Sequence, residues 1–407
     1  MTTLAPPGLD MIRARFPALA LDTVFLENAG GSQVPDVVIE GMAEYMRHSY
    51  VQLGADYGLS KKATALVEDA HDVVKTLMNA EGVGEVVLGH SSSWLFRMLA
   101  DCYAKVLQPG DEIVLMEAGH EANLSPWLRL EDQGVVIRWW RVDPETGASR
   151  LEDLDALLNE RTKLVAAVHV SNLLGEIIDL PEIVRRSHAV GAKVVADGVA
   201  YAPHRAIDVA AWGVDWYAYA AYKVYGPHMG VLYGTHEAFS ELEGPNHFFI
   251  PRQMVPYKFE LGGAPHEACA GVVALQHYLT FLAGMGLWAR PTVEAAFLRM
   301  ETLEAPLQTR LVEWLSSHPK VRIVGPAHAD ASRCATVSFV HESRSSREIS
   351  LVAEHQDIGI RHGHMYAHRL CTALGIPEED GVVRISCVHY NAIREVERLI
   401  EVLDPVL

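Results

Sequence analysis

Between about residues 85 and 235 the chain alternates short β-branched or apolar runs with amphipathic stretches, and this rhythm restricts the fold more than any other feature. The strand-like runs are Glu85–His90, Glu112–Glu117, Val135–Val142, Lys163–Val170, Lys193–Asp197, Trp216–Ala220 and Gly230–Tyr233. Helical patterns such as Ser92–Leu107, Leu151–Asn159 and Leu180–Val190 lie between most of them. Several runs are apolar nearly throughout, the pattern of strands covered by helices on both faces. The alternation predicts an α/β domain with a largely parallel sheet. Such sheets take ligands at the carboxyl ends of their strands.

The end of the chain reads differently. A long helical pattern, Arg290–Ser317, precedes strand patterns at Val321–Val324 and Ala335–Val340. A helix near Arg347–Gln356, a short strand at Gly359–Arg361, a helix near Ala367–Leu374, a strand at Gly381–Cys387 and a helix at Ala392–Leu403 complete a second, smaller α/β unit. The 407 residues are enough for two domains. The expected division is an N-terminal segment (1–30) packing with the small domain, a large domain (31–288) and a small C-terminal domain (289–407). The Pro- and Gly-rich segment Asn246–Pro265 predicts a loop that crosses a cleft or a subunit interface.

Charge and cysteine usage narrow the function. A net charge of −18 argues against nucleic acid or an anionic membrane surface as partner, since both reward clustered Lys and Arg. A small anionic molecule stays open, because a few placed Arg side chains suffice for it. The five cysteines form no CxxC pair, which predicts reduced thiols in a cytoplasmic protein. No signal peptide is visible, and no window approaches the roughly 20 continuous apolar residues of a membrane span. The histidines, twenty in all, show no zinc spacing such as HExxH, and no metal is expected.

Four features fall at predicted strand ends. Gly89-His90-Ser91-Ser92-Ser93 follows a strand and opens a helix, whose free N–H groups and positive dipole end suit phosphate. Read plainly, it is a serine N-cap. Asp197 closes an apolar run, where an acid can hold a ribose, a metal or a protonated ring nitrogen, or cap the next turn. Lys223 lies between Tyr222 and Tyr225, where partial desolvation would lower its pKa and make it a usable amine nucleophile. Asn172 follows the run Lys163–Val170. Together they supply what pyridoxal 5′-phosphate requires: a lysine for the Schiff base, an acid to keep the pyridine nitrogen protonated, and a helix start for the phosphate. A dinucleotide site is the rival for this fold, but no GxGxxG follows a strand, and Gly82-Val83-Gly84 precedes one instead.

The order and wording of these segments resemble the class V aminotransferases, and within them the cysteine desulfurase and selenocysteine lyase branch. The resemblance runs from Phe25–Ser32 to Val383–Asn391 and is strongest in Ala118–Trp127, Asp197-Gly198 and Tyr222–Pro227. It implies the type I fold of pyridoxal phosphate-dependent transferases, with a mainly parallel seven-stranded sheet in the large domain and a small C-terminal α/β domain. It implies that His120 stacks on the cofactor ring, that Asn172 contacts cofactor or substrate, and that Asp197 pairs with the ring nitrogen. Lys223 would carry the cofactor, with Ser91, Ser92 and Tyr222 beside it, and Arg361 and Arg384 would meet the substrate carboxylate, a task suited to a guanidinium fork. The family resembled is typically homodimeric, with active sites at the subunit interface.

Departures from the pattern bear on the reaction. Desulfurases of this kind carry an Arg-x-Gly-x-x-Cys-Ala loop, whereas this loop reads Arg361-His-Gly-His-Met-Tyr366-Ala367, with Cys371 five residues on. Ala200 stands where many relatives have a Gln, Ala220 and Tyr222 replace a Ser and a His, and Phe259–Gly263 lacks a Thr. Tyr222 or His204 are candidates to replace the lost phosphate contacts. The loop His362–His368 is expected to close over the substrate, with Tyr366 or a histidine as acid or base. The leading expectation is β-elimination or related C–S cleavage of cysteine or an S-substituted cysteine without a persulfide. Transamination is the alternative, epimerisation like that of isopenicillin N epimerase a second, with His120 or Tyr366 as the opposing acid or base. A silent scaffold relative is the non-enzyme reading, and the Asp197–Lys223 pair speaks against it.

Overall fold

The computed structural model describes residues 6–407. Its strands in chain order are β1 (Val24–Phe25), β2 (Gly84–Gly89), β3 (Glu112–Met116), β4 (Val136–Trp140), β5 (Thr162–Val168), β6 (Lys193–Asp197) and β7 (Trp216–Ala220). There follow β8 (Gly230–Thr235), β9 (Val321–Val324), β10 (Thr336–His341), β11 (Ile358–Gly359), β12 (Arg361–Gly363) and β13 (Val382–Ser386). Among the described residues one sheet has the order β2-β8-β7-β6-β5-β3-β4, a second has β12-β13-β10-β9, and β1 pairs with β11. The expected α/β class with a mostly parallel central sheet is what is found.

Contacts divide the chain into two compact units. The described residues up to Ala20, with Gln33–Val106 and Arg205–Arg299, form the first; Leu21–Ser32, Leu107–His204 and Met300–Leu407 form the second. In the first unit β8 runs antiparallel to both β2 and β7. The helix Ser92–Tyr103 packs on β8 so closely that a Cβ at Gly230 would strike the backbone of Ser91 and Ser92. Helix His266–Ala283 lies against Asp36–His48 and Gly58–Met78. Gly41 permits that approach, since a Cβ there would stand 2.7 Å from the Ala274 methyl.

In the second unit β3 sits between β4 and β5, and β5 pairs onward with β6, all in parallel. β3 is buried at every position, whereas β4, an end strand, alternates exposed and covered residues. The antiparallel sheet has β13 between β10 and β12, with β9 on the far side of β10. Its apolar face, including Val337, Phe339 and Ile385, packs with Leu311 and Leu315 of helix Arg290–Ser316 and with Val396 and Leu399 of helix Ile393–Leu403. Each such buried side chain contributes about 1.5–3 kcal/mol of transfer free energy. Leu26 belongs to this core, because β1 runs parallel to β11. The strand expected at Gly359–Arg361 is two strands: the chain pairs with β1 through Gly359, then with β13 from Arg361.

Candidate active site

In the first unit β7 ends at Ala220 and passes into a single 3-10 turn, Ala221–Lys223, so Lys223 stands at the carboxyl end of a strand as the alternation predicts. Its neighbour Tyr225 is fully buried and held at φ 60°, an unfavourable region for an aromatic residue that persists only where packing enforces it. Tyr222 stacks flat on His228, with ring centroids 4.6 Å apart and planes within 5°. Ser91 is a true N-cap: its Oγ accepts the Trp94 N–H at 3.2 Å. The cap uses its oxygen as an acceptor and leaves the O–H as a donor. Ser92 is buried at the same helix start.

The second unit gathers the other expected residues. Asp197 is buried at the end of β6, where its Oδ1 accepts the Val199 N–H at 3.0 Å and its carbonyl accepts the His169 N–H at 2.9 Å. The buried His169 ring lies face to face with Tyr201 at 3.8 Å, and burial pushes its pKa down to about 3, so the imidazole is neutral. Asn172 Nδ2 donates to the Met365 carbonyl at 2.9 Å, and the Asn172 carbonyl accepts from Arg384 Nη1 at 3.3 Å. The Tyr366 ring stands 5.2 Å from His120, and the Tyr366 carbonyl accepts the Glu121 N–H at 2.9 Å. His120, Asn172, Tyr366 and Arg384 are thereby joined through Asn172 and the 362–368 loop.

Two orphaned polar atoms stand out in this group. Asn172 Oδ1 and Arg384 Nε are buried without hydrogen-bond partners. Arg384 is only 2% exposed, and burial pulls its pKa down to about 10. A buried guanidinium in that condition is costly unless an anion joins it. Arg361, by contrast, is exposed and already paired, its Nη1 lying 2.6 Å from Glu27 Oε1.

The loop after β12 is strained where it meets His120. Met365 and Tyr366 are consecutive non-glycine residues at φ 40° and 62°, each costing about 1–3 kcal/mol unless held by surrounding contacts. The bonds from Asn172 and Glu121 hold it, with His364 Nδ1 accepting the Tyr366 N–H at 3.1 Å. His368 pairs with Glu378 at 2.9 Å, and among the described residues no group of three or more His, Cys, Asp or Glu converges on a metal position. His204 is engaged elsewhere: it is buried with its Nδ1 2.8 Å from Glu304. The five cysteines are all buried, and burial raises the Cys371 thiol to about 11.

Sequence reasoning did not single out Glu27, Glu121, Gly230 or the carbonyl of Met365. Glu27 sits inside Phe25–Ser32 and Glu121 inside Ala118–Trp127, two segments that carry the resemblance, so an acid within each was the available signal. Gly230 and Met365 act through a missing side chain and a carbonyl, which residue type does not advertise.

The profile of the family described as aminotransferase class-V matches residues 24–399. The chain belongs to the class-V aminotransferase family. This class-V chain is 39% identical to the aminotransferase-like protein FGM3 of Gibberella zeae, over 98% of both chains. It is 30% identical to a cysteine desulfurase of Dickeya dadantii, over 96% of this chain and 95% of that one. Among solved structures it matches the apo cysteine desulfurase of Thermococcus onnurineus NA1, with a TM-score of 0.87 at 26% identity, covering 100% of this chain and 99% of that one. It is therefore a pyridoxal phosphate-dependent enzyme of class V. Each unit carries groups of the kind that cofactor needs: the first an amine at a strand end and a helix start over a glycine that keeps β8 close beneath it, the second a buried carboxylate at a strand end and an orphaned amide oxygen on Asn172. Among the described residues no helix is long and apolar enough to cross a membrane.

Proposed function

We propose that this enzyme cleaves the C–S bond of cysteine or an S-substituted cysteine by β-elimination, releasing the sulfur as a thiol or sulfide rather than passing it to a protein cysteine. The observation that carries the reading is the loop tip. Tyr366 occupies the place of a sulfur-accepting cysteine and faces His120, while the neighbouring Cys371 is buried with its thiol held protonated. A thiolate acceptor is what sulfur transfer needs, and the buried Cys371 is a poor source of one.

Pyridoxal phosphate, when bound, supplies an electron sink for the Cα carbanion of an amino acid. Ser91 and Ser92 at their helix start would hold its phosphate, Asp197 would keep the ring nitrogen protonated, and His120 would pack on the ring face. Arg384 would bind the substrate carboxylate, with Arg361 beside it. Lys223 Nζ would take the Cα proton, and Tyr366 Oη would hand a proton to the departing sulfur. The proton count balances: Cα loses one, the sulfur gains one, and the remaining three-carbon fragment leaves as pyruvate and ammonia after hydrolysis. We take the enzyme to be a cytoplasmic homodimer, a reading supported by five unpaired thiols and by the exposed Phe248 and Phe249 of the 246–265 loop.

The product assay tests this. Holoenzyme given cysteine or an S-alkyl cysteine is expected to release sulfide or thiol with pyruvate, without a persulfide on any cysteine. Amino transfer to a keto acid without sulfur release overturns it in favour of transamination, and deuterium wash-in with loss of Cα chirality in favour of epimerisation. Tyr366→Phe is expected to lower turnover about a hundredfold, the usual worth of a positioned acid, and unchanged turnover removes that role.

A further inference from the structure

Glu27, Arg361 and Arg384 are brought together by the pairing of three neighbouring strand segments. Arg361 and Arg384 are register partners across β12 and β13, so their side chains leave the same face. Glu27 bridges in parallel to Ser386, which lies two residues beyond Arg384 and shares its face. Two guanidinium groups in that relation repel each other, and a single carboxylate answers them. Glu27 Oε1 lies 2.6 Å from Arg361 Nη1, while Arg384 keeps an unpartnered Nε. The charges are felt at Arg384: burial depresses its pKa most, Glu27 works to raise it, and Arg361 lowers it further.

The seat of Glu27 is built rather than incidental. Leu26 N–H donates to the Gly359 carbonyl at 2.9 Å, Ser386 N–H to the Leu26 carbonyl at 2.8 Å, and Ala29 N–H to Ser386 Oγ at 2.8 Å. Asn28 Nδ2 adds a bond to the Ser386 carbonyl at 2.8 Å. Gly30 leaves room for the carboxylate: a Cβ there would stand 2.5 Å from Glu27 Oε1, and Gly30 is not among the glycines at positive φ. The space, and not the backbone, is what requires glycine.

We propose that Glu27 is a specificity-determining residue, a resident carboxylate that occupies Arg361 and so limits the substrate subsite to one carboxylate. The inference rests on the reading that Arg384 receives the substrate's α-carboxylate. Two guanidinium charges less one carboxylate leave a single positive charge, which matches an amino acid with a neutral side chain. A second carboxylate on the substrate would find Arg361 already taken and would face the charge of Glu27.

The test compares propionate and succinate as ligands of the holoenzyme, by calorimetric titration and as inhibitors of turnover. In Glu27→Gln the succinate-to-propionate affinity ratio is expected to rise about tenfold, on the scale of one like-charge interaction removed. Glu27→Asp is expected to keep the parent ratio, and Gly30→Ala, which evicts the carboxylate, to shift it as Glu27→Gln does. A ratio unchanged within about twofold in both Glu27→Gln and Gly30→Ala overturns the proposal, as does an equal shift in Glu27→Asp. Arg384→Met separates the two layers: undiminished propionate binding there overturns the carboxylate subsite itself, whatever Glu27 does.

Discussion

Two buried charged groups, one in each compact unit, are treated in opposite ways. In the first unit Glu260 is met by partners: its Oε1 meets His71 Nε2 at 2.8 Å and accepts the Leu88 N–H at 2.8 Å. His71 Nδ1 in turn faces the Val67 carbonyl at 2.7 Å. A ring with acceptors at both nitrogens carries both protons, so this is an imidazolium–carboxylate pair tying the 246–265 loop to β2 and helix Gly58–Met78. In the second unit Arg384 is equally buried, yet its Nε has no partner. A buried charge paired in place is architecture, and one left wanting an anion is a binding site.

The largest expected effect comes from breaking the complete pair. Glu260→Ala leaves a buried imidazole and the Leu88 N–H without their acceptor, and is expected to cost about 3–5 kcal/mol in denaturant unfolding. A loss below about 1 kcal/mol would mean the pair is ornamental. Arg384→Met should behave oppositely. Folding stability is expected to hold or rise, because an uncompensated charge is removed, while kcat/KM falls by about 2–5 kcal/mol equivalent. A destabilised Arg384→Met protein with normal kinetics would erase the distinction between the two sites.

The smallest effect sharpens the comparison through pH. Burial alone would lower the His71 pKa, but the hydrogen bond and charge of Glu260, with the Val67 carbonyl, outweigh it and raise the pKa above 6.5. Lys75, which opposes the raise, and Cys269, which feels Glu260, are the other titratable groups nearby. A group whose folded pKa is raised contributes stability that is complete below its unfolded value and lost as pH rises through the folded one. The melting temperature is therefore expected to decline over the alkaline side of pH 6.5, and Glu260→Gln, which no longer holds the second proton, is expected to flatten that decline. An unaltered pH profile in Glu260→Gln would place the titration elsewhere.

Strands were legible because their signal is local. Lys193–Asp197 and Trp216–Ala220 were read to the residue, since a run covered on both faces stands out against polar turns. Val135–Val142 was read too long, because an end strand carries solvent-facing residues that blur its limits. Helices Asp36–His48 and Gly58–Met78 were not read at all: they precede the strand rhythm that organised the rest. Asp197, Asn172 and Lys223 were legible as strand-end residues, and Tyr366 as a departure from a motif. The serine N-cap was legible too, although which serine of the three supplies it was not, nor was the turn of His204 to Glu304.

Sequence alone determined the alternation of strand and helix, the family's motifs and the positions of the lysine and the acid, because each depends on residues within one turn or strand of one another. Only the tertiary structure decided that Glu27 meets Arg361, 334 residues away, and that Arg384 Nε is left without a hydrogen-bond partner. Pairing register and burial set those charges, and neither is written in any single segment.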